Sequence, residues 1–162
     1  MAGSAHESTM TVTRISQHVK ARRADVFRAL VDARAVSQWM VPDGMTSHVH
    51  VFEAREGGAF RISLTYAGAT GAGKTSEHTD TFHGRFVKLV TDECVEQVVE
   101  FETEDPNLQG EMRITYQLVD AGNGTDVHGE HRGLPSGVSA ADNEIGWRMS
   151  LAKLAVLVEA GG

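Results

Sequence analysis

The sequence predicts an α+β fold in which a curved antiparallel sheet grips one long C-terminal helix. Two observations carry this. Across roughly the middle half of the chain, apolar side chains recur at every second position, the mark of strands covered on one face. From Ser139 to Ala160 the period changes to a helical one, with Trp147, Leu151, Leu154 and Val158 at i, i+4, i+7 and i+11. A third observation fixes the class: the helical segments sit at the two ends of the chain and do not alternate with strands, so a parallel βαβ sheet is excluded.

Taken in order, residues 1–10 are small and polar and read as a loose tail, leaving 11–162 as a single domain. "TVTRISQHV" (11–19) sets Val12, Arg14 and Ser16 against Thr11, Thr13 and Ile15, a strand pattern. "RADVFRALVDARAVSQWM" (23–40) reads as two short helices, with Val26, Phe27, Leu30 and Val31 on one face and Val36, Trp39 and Met40 as a second apolar cluster. Pro42-Asp43-Gly44 is a turn that ends the pair. Strands come next, with Phe60, Ile62, Leu64 and Tyr66 on one face, then Phe82, Gly84 and Phe86, then Val95, Gln97, Val99 and Phe101. Met112, Ile114, Tyr116 and Leu118 continue the pattern, and Thr125, Val127, Gly129 and His131 complete it. "EDPNLQG" and "DAGNGT" supply turn chemistry between strands. On the last helix, Ile145, Met149, Ala152 and Val156 form a second apolar stripe nearly opposite the first, which predicts a helix held between layers.

The totals exclude several classes. A formal net charge of −7 argues against a nucleic-acid or anionic-membrane surface. Cys94 is the only cysteine, so an internal disulfide and a cysteine-based zinc knuckle are excluded. No apolar run approaches membrane-spanning length, and "MAGSAHESTM" lacks the basic and apolar segments of a signal peptide; a cytoplasmic location is the expectation. "GATGAGKT" (68–75) matches the phosphate-binding P-loop pattern, in which Lys74 would meet phosphates and Thr75 magnesium. The next segment, "SEHTDTFHGRF", is strand-like, with no helix N-terminus to face a phosphate, so a Gly-rich hairpin loop is the better reading.

Several segments carry a family resemblance. "ADVFRALVDARAVSQWMVP" (24–42), "EAREGGAFR" (53–61), "HGRFVKLVTDECVEQVVEF" (83–101), "GNGTDVHGEHRGL" (122–134) and "IGWRMSLAKLAVLVE" (145–159) occur in the order of corresponding motifs in the START-like (SRPBCC, birch-pollen-allergen-like) superfamily. The sequence resembles the branch named after the activator of heat-shock protein 90 ATPase. Glu53 replaces the Asp of its Asp-x-Arg-x-Gly-Gly signature, with Arg55, Gly57 and Gly58 kept; Met40 stands where a second Trp is usual and Ala33 where Pro is. The resemblance spans about Thr11 to Glu159. It implies a helix-grip fold enclosing a cavity between sheet and helix, usually for an apolar ligand, in a superfamily that includes cyclases and other enzymes.

Among inward-facing strand positions, Tyr66, Gln97, Tyr116 and His131 are polar, and a buried polar group needs a partner. They are the candidate ligand contacts, with Ile114 and Leu151 as apolar lining and Trp39, Met45 and Trp147 as wall or mouth. Core packing is the default for both tryptophans. His131 would be the general base if the cavity is catalytic, assisted by Tyr116 or Tyr66. His48 and His50 would share a face on a strand, and His128, Glu130 and His131 lie close in sequence, but His131 points away from the other two; no complete metal-ligand set is expected. Arg55 after Glu53 reads as a salt bridge at the Gly57-Gly58 turn. The expected function is binding of a small apolar molecule without a cofactor; the sequence is compatible with a homodimer and does not fix the oligomeric state. The alternatives are a cyclase- or hydrolase-type enzyme in the same cavity, or a chaperone-associated module binding a partner through its outer sheet face or loops.

Overall fold

The alternating and helical patterns resolve, in a computed structural model describing residues 11–66 and 79–161, into β1 (Val12–Val19), α1 (Arg23–Leu30), α2 (Ala33–Trp39), β2 (Met45–Phe52), β3 (Ala59–Tyr66), β4 (Thr79–Val90), β5 (Cys94–Phe101), β6 (Met112–Ala121), β7 (Gly124–Arg132) and α3 (Ala140–Glu159). The strands form one curled antiparallel sheet in the order β1-β7-β6-β5-β4-β3-β2. α3 lies across its concave face, and α1 and α2 pack against α3. This is the predicted α+β helix-grip arrangement.

Local chemistry sets the boundaries. Asp32 caps α2 by accepting from the Ala35 N–H, and the Ser139 hydroxyl caps α3 by accepting from the Asp142 N–H at 3.2 Å. Gly57 has φ +83°, and a Cβ on Gly58 would collide with the carbonyl oxygen of Glu53, so this turn admits glycine at both positions. Glu53 holds the same turn through its Oε1, which accepts from the Ala59 N–H at 2.9 Å. Its pairing with Arg55 is loose and exposed, at 3.8 Å, and contributes little.

The Gly68–Thr75 pattern lies outside the described residues. The strands on either side of it, β3 and β4, pair antiparallel, with Thr65 opposite Thr79. A P-loop needs a parallel strand before it and a helix after it.

One expectation is corrected. The second stripe of α3 is not covered: Ile145 is 53% and Val156 is 70% exposed, whereas Leu151, Leu154 and Val158 are buried. The helix touches the sheet on one side only, and periodicity reports where side chains lie around an axis, not what stands opposite them.

Candidate functional site

Along β5, β6 and β7 the inward positions fall into cross-strand rows. Gln97 pairs with Ile114, and Ile114 with His131; in the next row Val95 pairs with Tyr116, and Tyr116 with Gly129. A Cβ on Gly129 would stand 2.7 Å from Cζ2 of Trp147, so the missing side chain is what lets the indole settle onto β7. There Trp147 meets Tyr116 and His131 edge to face, at 6.0 and 5.8 Å between ring centres.

Beside this cluster a cavity of about 520 Å³ opens between sheet and α3. Met45, Tyr66, Gln97, Ile114, Tyr116, His131 and Trp147 line it, together with Phe52, Phe60, Ile62, Leu64, Phe82, Val99, Phe101 and Met112. Two of the residues expected there do not. Trp39 is fully buried behind Tyr116, 6.2 Å between rings, and its indole N–H donates to the Ala29 carbonyl, which locks it into the α1–α2 packing. Leu151 is 1% exposed and belongs to the filled core.

The cavity also draws on residues that the sequence pattern did not single out. Asp80, 3% exposed, lines it from β4, and α3 presents Ser139, Asp142, Asn143, Gly146 and Ser150. Asp80 lies two positions before Phe82 and so shares its face; extending the alternation backwards would have found it. The α3 residues recur at helical spacing on the side bearing Trp147, visible only as small and polar side chains on the face that carries the apolar stripe further on.

His131 is deeply buried, and burial lowers its ring pKa to about 4. Asn143 Nδ2 donates to its Nδ1 at 3.1 Å, which leaves the ring proton on Nε2, 3.2 Å from Met112 Sδ. Burial pushes the Tyr116 phenol up to about 12, with the Trp147 indole pulling the other way. At neutral pH both groups are uncharged.

The remaining titratable clusters are occupied by each other. On the outer face, beside the β5–β6 connection, a concavity of about 610 Å³ contains His83, Glu100 and Glu102. Arg61 clamps Glu102 at 2.8 and 2.9 Å, holding that carboxyl below its usual range, and His83 bridges Glu100 and Glu102. His50 bonds Ser63, His128 bonds Ser16, and Glu130 bonds Arg14 and Arg132. Among the described residues no three His, Cys, Asp or Glu side chains are placed to hold a metal. Cys94 is buried, and burial pushes its thiol up, away from reactivity.

A sheet curled over a single helix, with a cavity between them, defines a helix-grip domain of the ligand-binding type. The chain belongs to the family described as activator of Hsp90 ATPase homolog 1-like protein, which it matches over residues 20–159. Among solved structures it is similar to a Chromobacterium violaceum protein (28% identity, TM-score 0.81, covering 92% of this chain and 98% of that one). Proteins from Arthrobacter aurescens (15%, TM-score 0.77, covering 92% and 86%) and Rhodobacter sphaeroides (19%, TM-score 0.74, covering 93% and 93%) share the fold. No curated protein sequence matches it. No helix among the described residues is long and apolar enough to cross a membrane.

Proposed function

We propose that the protein binds a small, largely apolar molecule in the cavity between sheet and α3. The observation that carries this reading is the space itself: about 520 Å³ lined mainly by aromatic and aliphatic side chains, with polar groups contributed by both the sheet and α3. Packed interiors leave few voids larger than a water molecule, so a space of this size is a departure from ordinary core packing. A catalytic role for His131 draws less support. A ring with a pKa near 4 is a weak base at neutral pH, and its Nδ1 meets the uncharged amide of Asn143, not an orienting carboxylate.

Ile114→Trp tests the reading, because Ile114 lines the cavity at the centre of its floor. The indole should occupy ligand space, leaving the melting temperature within a few degrees of wild type while uptake of the neutral probe N-phenyl-1-naphthylamine is lost. A variant that unfolds, as overpacking of a filled core would cause, or one that takes up the probe as wild type does, would contradict it.

A further inference from the structure

The part of the cavity floor built by β5, β6 and β7 is polar but uncharged, and this bears on which ligands the site accepts. Gln97 is 3% exposed, and its amide lines the cavity without a hydrogen bond to any described residue. His131 lies in the same cross-strand row, on the other side of Ile114. The two Cα atoms are thus about 9.6 Å apart, two strand spacings. The His131 Nε2–H has only the Met112 thioether near it, a weak acceptor. The floor therefore holds an amide that can donate and accept, and an N–H that can donate, with no strong protein partner for either.

Among the described residues the cavity lining holds no cation to meet an anion. None of those residues is a lysine or arginine, whereas Asp43 and Asp142 are there. Lys153, close to the rim, has its ammonium on the Val41 carbonyl at 2.7 Å and on Asp43 at 3.0 Å. His131 stays neutral because burial disfavours its charged form. A carboxylate or sulfonate entering here would lose its water and gain no counter-charge from the described residues.

We infer that the ligand is an otherwise apolar molecule whose polar end is uncharged, a carbonyl or hydroxyl that meets Gln97 and His131, and that anionic amphiphiles are rejected. This rests on the cavity being the binding site. The hydroxyl of such a ligand would donate to the Gln97 side-chain oxygen, and a carbonyl would accept from Gln97 or from the His131 Nε2–H.

The test uses the full chain at pH 7.4 and two probes sharing one ring system: neutral N-phenyl-1-naphthylamine and its sulfonated relative 8-anilino-1-naphthalenesulfonate. The neutral probe should bind saturably and be displaced by 1-decanol, but not by decanoate at the same concentration, and the sulfonate should bind at least tenfold more weakly. Asn143→Lys, which adds a cation at the cavity wall, should raise sulfonate affinity at least tenfold; if that variant does not fold, the wild-type pair decides alone. Equal affinity for both probes, with mutual displacement, overturns the charge inference and leaves the cavity reading standing. Failure of the neutral probe to bind sinks the cavity reading and this inference with it.

Discussion

The two halves of α3 lie on the same sheet and do opposite things with it. Its C-terminal half carries Leu151, Leu154, Ala155 and Val158, all buried in a core that includes Ile15, Val19, Leu118 and Val127. Towards its N-terminus Ser139, Gly146 and Ser150 present little or no side chain to the strands below, Asn143 and Trp147 reach across to His131, and beside them the cavity opens. Small side chains at three positions of that face leave the space. Burial of each large aliphatic residue in the filled half is worth about 1.5–3 kcal/mol, so one half can supply stability while the other supplies space.

If that division holds, the same kind of substitution should have different consequences in the two halves. Leu154→Ala, in the filled half and fully buried, should cost about 2–5 kcal/mol, read as a lower denaturation midpoint in urea. Ile114→Ala, in the hollow half, borders space that is already empty, and should cost well under half as much. Equal losses at the two positions would mean that the hollow half is packed after all.

A second difference appears in acid. His131 has a folded pKa near 4 against an ordinary 6.5, so between those values the unfolded chain binds more protons than the folded one. Its contribution to stability is therefore complete above pH 6.5 and is lost as pH falls towards 4. From pH 8 to pH 5 the loss should be roughly 2 kcal/mol. His131→Gln, with no titrating ring, should show a shallower decline, measured as urea midpoints at several pH values; identical slopes would show that His131 is not buried as described.

The smallest expected effect comes from filling the cavity from the helix side. Ser150→Leu should change stability by less than about 1 kcal/mol in either direction, because the added carbons enter open space and do not displace packed neighbours. It should nonetheless reduce uptake of the neutral probe. A loss of several degrees in melting temperature would mean that the wall there has no room.

The contrast between the halves also shows what was legible in the sequence. The filled half was: Leu151, Leu154 and Val158 stand at helical spacing, and the β6 and β7 alternation marks the face they meet. The hollow half was legible only on the sheet side, where Tyr66, Gln97, Tyr116 and His131 interrupt apolar rows. Asn143, Gly146 and Ser150 escaped notice because small and polar residues leave no mark in a hydrophobic pattern. The apolar alternation marks β4 only from Phe82 onward, although the strand begins at Thr79, and so leaves out Asp80. β2 was visible mainly as a histidine pair, since it runs along the sheet edge with most positions partly or fully exposed. The Ile145–Val156 stripe failed in the other direction: its spacing is real, yet nothing among the described residues buries it. Trp39 and Leu151 stand on apolar faces in the sequence pattern, but a face does not distinguish a filled position from one beside a void.

The central claim is that one half of the grip is a chamber and the other a core. Backbone amide shifts of isotope-labelled protein titrated with N-phenyl-1-naphthylamine test it most directly. The account predicts saturable shifts gathered at Gln97, Ile114, His131, Gly146, Trp147 and Ser150, with Val127, Leu154 and Val158 unmoved. Shifts centred on the exposed Ile145–Val156 stripe, or none at saturating probe, would contradict it.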